Sequence, residues 1–246
     1  ELLKSKTQYG DALSKKLDSS KNRPDIEFEI LFAHQCESND LQLSYEVSAN
    51  PENDKTVDFT AELNSVQLNM ELVRVGHNIA ISDLLKANPS SGFTLTSDNE
   101  NPHFRPEAQD IKLQTSLLEK VEKFNEVGSD SINIICVDCS NVHVGRLESN
   151  DVATVMWGKT YNPFLAGRWQ GKRIKGMLED DYDKRGSDLF KANVSAVIFV
   201  TTLKYRPLNY AYIAFNNRLA NDHVELVLET LKMNKTFTDI ATCPLP

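Results

Sequence analysis

Two runs of alternating character, parted by only two residues, limit this chain more than any other feature. Val57, Phe59, Ala61 and Leu63 alternate with Asp58, Thr60 and Glu62. After Asn64-Ser65, the residues Val66, Leu68, Met70 and Leu72 alternate with Gln67, Asn69 and Glu71. A period of two belongs to a half-buried strand, and a two-residue polar break led by Asn is a tight turn. The pair predicts an antiparallel hairpin. Just before it, Leu41, Leu43, Tyr45 and Val47 alternate with polar residues until Asn50-Pro51 ends the run. That predicts a further strand, and with the hairpin a three-strand meander.

If Asn64 and Ser65 are the whole turn, Leu63 faces Val66. Counting outward then sets Asp58 directly opposite Glu71, on a polar face shared with Thr60, Glu62, Gln67 and Asn69. Opposed side chains in such a pair have Cβ atoms about 4.5–5.5 Å apart, and like charges there are destabilising. Two readings are open. The carboxylates are a solvated surface pair, as acidic residues on an outer sheet face commonly are. Alternatively they share a hard cation such as Mg²⁺, which takes one or two carboxylates plus water. A turn of odd length would shift the register and remove the opposition.

Residues 1–20 have a helical pattern, with Leu2, Leu3, Ala12, Leu13 and Leu17 apolar and lysines between them. Residues 1–22 are therefore expected as an N-terminal helical extension. Asn22-Arg23-Pro24 breaks that pattern, and Pro24 suits the first turn of a new helix. Asp25–Glu37 alternates as a strand would. Its proline start and its length nevertheless predict a helix buried on several sides. Residues 88–106, rich in Asn, Pro, Ser and Asp, read as a surface loop. The spacing of Leu113, Leu117, Leu118, Val121 and Phe124 predicts a helix over Glu107–Val127, closed by Gly128. Gln114 falls within that apolar stripe. It is either an ordinary core amide or one that faces a site. Ile132–Val137, ending at Asp138, then Val194–Val200 and Tyr210–Phe215, predict strands, and Asp222–Met233 a last helix.

The order predicts an α/β fold: a mixed central sheet with a three-strand meander, flanked by helices. A single domain over 1–246 is expected, since no linker divides the chain and 246 residues are ample for one core. Residues 140–192 form an insert. Within it, Arg168-Trp169-Gln170-Gly171-Lys172-Arg173-Ile174-Lys175-Gly176 gathers basic residues around a tryptophan. Arg168, Lys172, Arg173 and Lys175 could neutralise phosphates while Trp169 stacks on a base. The other reading is a solvated loop whose Trp anchors the core. Glu179, Asp180, Asp181 and Asp183 follow and read as an exposed acidic stretch.

A net charge of −8 excludes a uniformly basic coat but not a local basic patch. No apolar run is long enough to span a bilayer and no charged-then-apolar leader opens the chain, so no membrane partner is expected. Four cysteines do not make a disulfide scaffold. Cys136-x-x-Cys139 lies in a predicted strand, whereas redox pairs open helices and zinc sites want a second pair. Reduced core cysteines and a cytoplasmic location are expected. Ser140 near Asp138 and His143 lacks the G-x-S-x-G context of a nucleophile elbow, and turn chemistry accounts for that stretch. The histidines form no HExxH. Gly167-x-x-x-Gly171-Lys172-Arg173 has neither the spacing nor the Ser/Thr of a P-loop.

Glu29 on a first helix, a strand, Asp58 on the next, Glu71 on the third, then a helix and a strand: over residues 25–138 this arrangement resembles the PD-(D/E)XK nuclease superfamily. The resemblance implies a restriction-endonuclease-like fold. It implies Mg²⁺ or Mn²⁺ held by Asp58, Glu71 and Glu29, with Glu27 as the alternative to Glu29, and hydrolysis of phosphodiester bonds. It also implies nucleic acid as partner, DNA ahead of RNA, and pairing into a homodimer. The chain departs from the family at the motif lysine, where Val73 stands two residues after Glu71. Arg74 points to the opposite strand face and Lys55 has the wrong parity. Lys120, on the flank of the following helix, is the candidate for a migrated lysine, and Gln114 resembles the site-facing Gln of some members. The alternative is a catalytically inactive scaffold that binds nucleic acid or protein.

Overall fold

Asn64 and Ser65 both take positive φ, 52° and 64°. That is the left-handed pair a two-residue type I′ turn requires. The hairpin it closes therefore has the expected register, from Leu63 opposite Val66 to Phe59 opposite Met70. In the computed structural model the described residues are 9–19, 23–49, 54–75, 107–125, 131–140, 149–160, 173–203, 206–215 and 229–230.

The elements run in chain order α1 (Gly10–Ser19), α2 (Arg23–Glu37), β1 (Leu43–Ser48), β2 (Thr56–Leu63) and β3 (Val66–Arg74). Then come α3 (Glu107–Leu118), β4 (Ser131–Asp138), α4 (Ser149–Trp157), β5 (Lys159–Thr160) and β6 (Arg173–Ile174). Last are α5 (Ser187–Asn193), β7 (Ala196–Leu203) and β8 (Arg206–Phe215). Six strands form one mixed sheet in the order β1-β2-β3-β4-β7-β8. The meander β1-β2-β3 is antiparallel, β3, β4 and β7 are parallel, and β8 returns antiparallel on the far edge. The sheet with helices on its faces is the expected α/β architecture. The predicted loop at 88–106 lies outside the described residues, and so does all but 229–230 of the predicted last helix.

Each face of the sheet has its own apolar core. Phe59, Leu68, Met70, Leu72, Ile134, Cys136 and Ile198 pack against Leu13 of α1 and Phe28, Phe32 and Cys36 of α2. Val73, Ile135, Val137, Val197 and Phe199 pack against Leu113 and Leu117 of α3, Val152, Val155 and Met156 of α4, and Phe190 of α5. Both α1 and α4 thus cover core, although the sequence reads them as parts of an extension and an insert. Among the described residues no helix is long and apolar enough to cross a membrane. Cys36, Cys136 and Cys139 are free and buried.

The helix expected over Glu107–Val127 stops earlier. α3 ends at Leu118, and a single 3₁₀ turn follows at Val121–Lys123. Residues three apart eclipse in a 3₁₀ turn. Lys120 and Lys123 therefore project together, while Val121 and Phe124 stay in the second core.

A buried amide network anchors that turn. Asn69 and Asn133 are register partners on β3 and β4. Asn69 Nδ2 donates to Asn133 Oδ1 at 2.8 Å, and Asn133 Nδ2 donates to the carbonyls of Asn125 at 2.8 Å and Asn193 at 2.7 Å. Asn193 Nδ2 donates to the Phe124 carbonyl at 3.1 Å. Removing Asn133 would strand several buried partners at once. Asn133→Ala is expected to cost about 2–4 kcal/mol of unfolding free energy in urea titration. A loss well under 1 kcal/mol would show that the network does not hold the turn.

Candidate active site

The odd-numbered residues of β3 face α3, so Glu71 points toward the second core and away from water. It is fully buried. An isolated carboxylate there would be prohibitive, and two ammonium groups from the 3₁₀ turn enclose it. Lys120 Nζ donates to Glu71 Oε1 at 2.7 Å. Lys123 Nζ donates to Oε1 at 2.7 Å and to Oε2 at 2.8 Å. Burial pulls the Lys120 pKa down, but the charge and hydrogen bond of Glu71 outweigh it and the net direction is up.

Asp58 lies where the hairpin parts. The β2–β3 ladder is regular up to Phe59–Met70 and goes no further, although both strands continue. On the other side, β1 pairs with β2 at Tyr45–Phe59 and Val47–Val57 but not between them. Glu46 and Asp58 therefore stand level on β1 and β2, and Asp58 and Glu71 follow directly after the last β2–β3 pair. Glu46 takes positive φ, 52°. Phe59 belongs to one core and Val57 to the other, so β2 turns through Asp58. Like charges in one row oppose a tight ladder, and here the strands fork. Asp58 Oδ2 reaches into the fork and accepts the Leu72 N–H at 2.7 Å. Burial, then the charge of Glu71, push the Asp58 pKa up to about 7; the Leu72 N–H and Lys123 work against them.

Glu29, on α2, is held from a different side. Its Oε2 accepts the Tyr45 hydroxyl at 2.7 Å. Lys16 of α1 donates to that hydroxyl at 2.6 Å and to Glu46 at 2.5 Å. Burial raises the Glu29 pKa; Tyr45 and Lys16 lower it, and Glu46 and Glu71 raise it further. Glu29, Asp58 and Glu71 are thus within electrostatic reach of one another. They do not share one ligand point: among the described residues no group of three or more acidic, His or Cys side chains is placed to hold a metal. The expected three-carboxylate centre is reduced to the pair Asp58 and Glu71, because Tyr45 draws Glu29 toward α1. Glu27 is no substitute, since it is exposed and pairs with Arg23.

The other candidates separate clearly. Lys120 pairs with Glu71 at 2.7 Å. Val73 is buried in the second core. Arg74 pairs with Asp138 at 3.3 Å, and Asp138 also accepts the Ser140 N–H at 2.9 Å, as turn chemistry predicts. Lys55 pairs with Glu122. Gln114 does not face the site. Its Nε2 donates to the carbonyls of Val155 at 3.1 Å and Lys175 at 2.8 Å, which is the core-amide reading.

Arg168, Trp169 and Lys172 lie outside the described residues. Arg173 and Lys175 are engaged within the chain, Arg173 with Glu179 at 2.6 Å and Lys175 with Asp181 at 3.1 Å. The acidic stretch is therefore not wholly solvated. Glu179 is buried and also accepts the Gly176 N–H at 3.0 Å.

Two charged residues escaped the sequence reading. Lys123 carried a signal, its spacing of three from Lys120, which sets the two on one side of an α-helix and in line in a 3₁₀ turn. Asp25, at the start of α2, lies within electrostatic reach of Arg74, Lys120 and Asp138. No family model, no curated protein and no solved structure matches this chain.

The raised pKa of Asp58 has a stability consequence. A carboxyl with a higher pKa folded than unfolded favours folding when protonated. Its contribution is fully present below about pH 4 and is lost as pH rises through about 7. Asp58→Asn is expected to remove this component. Chemical denaturation from pH 4 to pH 8 should show the wild type losing stability relative to the variant; parallel profiles would contradict the burial of Asp58.

Proposed function

We propose that this chain is a metal-dependent, nuclease-like phosphodiesterase centred on Asp58 and Glu71. One observation carries the reading: two carboxylates, Asp58 and Glu71, lie within electrostatic reach of each other where β2 and β3 part, and an ammonium group lies on one of them. The order α2-β1-β2-β3-α3-β4 supports it, because it is the order that the resemblance to PD-(D/E)XK nucleases implies.

The donor set suits a hydrated hard cation. Asp58 and Glu71 offer only carboxylate oxygens, and Asp58 Oδ1 accepts no hydrogen bond among the described residues. Mg²⁺ commonly takes one or two carboxylates and keeps water for the rest of its shell. Asp58 and Glu71 would hold Mg²⁺ or Mn²⁺, which when bound lowers the pKa of a coordinated water and stabilises charge on phosphate oxygen. Lys120 supplies positive charge beside Glu71 for a phosphate oxygen, the task that Val73 cannot perform. Glu29, oriented by Tyr45, orders water at the margin of the fork.

The substrate class is nucleic acid, DNA ahead of RNA. Arg173 and Lys175 are tied to acidic neighbours, so attraction of phosphate by the basic segment rests on Arg168 and Lys172, with Trp169 for stacking. Homodimerisation would let two such centres cut both strands. Free, buried cysteines support a cytoplasmic location.

Val73 favours a second reading, an inactive scaffold of the same fold that binds nucleic acid or protein. Cleavage of single-stranded and plasmid DNA in Mg²⁺ or Mn²⁺ separates the two. Wild type should cut, and Asp58→Ala and Lys120→Met should each lose about 10²–10³ in rate. Retained cleavage in Asp58→Ala would place the centre elsewhere. Absence of cleavage by the folded wild type, with DNA affinity retained, would establish the scaffold.

A further inference from the structure

We propose that Lys123 is a tethered competitor for the divalent cation: its ammonium holds the place on Glu71 that the ion would take, and the ion enters as Lys123 swings out. The inference rests on the reading of Asp58 and Glu71 as a metal centre. It concerns how that centre is filled before metal arrives.

Three features point to Lys123. First, it covers both oxygens of Glu71, at 2.7 and 2.8 Å, whereas Lys120 touches only Oε1. Each carboxylate oxygen offers about two lone-pair directions. Oε1 already serves two ammonium groups, so with Lys123 in place a metal finds a single direction, on Oε2.

Second, Glu71 is already enclosed by two ammonium groups on one carboxylate. A divalent ion added beside both would sit against two like charges. Departure of Lys123 as the ion binds removes one of them, and Asp58 then meets the ion instead of its distant ammonium.

Third, Lys123 has a way out. Its side chain is 23% exposed while that of Glu71 is 0%. It stands on the short turn at Val121–Lys123, and its flexible stem can carry the ammonium to water without moving the backbone. The backbone itself is fixed by the Asn133 and Asn193 amides on the carbonyls of Asn125 and Phe124. The ammonium and the ion are therefore alternatives on one buried carboxylate.

Binding of Mn²⁺ to the full chain, followed by the EPR signal of the free ion, tests this without reference to cleavage. Lys123→Met should bind Mn²⁺ about tenfold more tightly than wild type or better, the gain expected when a bound competitor is removed. Lys123→Arg, which keeps a cation there, should show no gain, and Glu71→Gln should abolish binding. Equal or weaker binding by Lys123→Met overturns the competitor role while leaving the metal centre intact. Binding by Lys123→Met alone supports the competitor role and removes the metal-dependent activity proposed for the native chain. No binding by any variant overturns both. Should Lys123→Met not fold, the wild type suffices. The ¹⁵Nζ signal of Lys123 should show slow hydrogen exchange without metal and lose that protection as Mg²⁺ saturates. Protection that persists at saturation refutes the displacement.

Discussion

The burial of one charge, that of Glu71, governs the arrangement around it. Removing a carboxylate from water costs several kcal/mol even after relaxation, and only close counter-charges offset that cost. The chain meets it with two lysines from one turn. The shape of the turn suits that demand. A continued α-helix would leave residues 120 and 123 about 60° apart, at about 100° per residue. The 3₁₀ geometry superimposes them. The buried amides of Asn133 and Asn193 then fasten the backbone just beyond, so that the ammonium groups have a fixed base.

The fork between β2 and β3 opens at these same acids. The β1–β2 ladder is regular on either side of Glu46 and Asp58, whereas the β2–β3 ladder ends at Phe59–Met70, just before Asp58 and Glu71. Each acid has its own compensation. Glu46 takes Lys16, Glu71 takes Lys120 and Lys123, and Asp58 takes the Leu72 N–H. Asp58 is the one served by a neutral donor, and it is the one whose pKa rises to about 7. The elevated carboxyl pKa comes first from burial and then from the charge of Glu71 across the opening.

Much of this was legible in the sequence because strand register is discrete. Once Asn64 and Ser65 are the whole turn, each pairing from Leu63–Val66 to Phe59–Met70 follows, and Asp58 and Glu71 come directly after the last of them. The alternation of Leu68, Met70 and Leu72 likewise assigns a face to each residue of β3. Legibility ended where geometry is continuous. The Leu113–Phe124 stripe fits one long helix as well as a helix followed by a tighter turn, and only tertiary packing distinguishes them. The direction in which a surface-length side chain leans is also unreadable. Glu29 could have joined Asp58, but Tyr45 and Lys16 draw it the other way. Glu179 sits in an acidic run that composition marks as solvated, yet it is buried by the fold of its own loop onto Gly176 and Arg173.

Val73 is fixed by the packing of the sheet. Val73 is the register partner of Val137, and Val137 of Phe199, so the three form an apolar row across the parallel strands β3, β4 and β7. All three are in the core that α3, α4 and α5 cover. A lysine at 73 would put an ammonium stem into the end of that row and would keep α3 from closing over it. With the row apolar, positive charge reaches Glu71 from the flank, on the turn after α3. A lysine borne on a strand is fixed by the pleat, two residues or about 7 Å along from its acid. A lysine borne on a turn has no such fixed offset and can rest directly on the carboxylate. Val73 keeps ammonium out of the sheet, and the charge on Glu71 comes instead from a turn whose lysines rest directly on the acid.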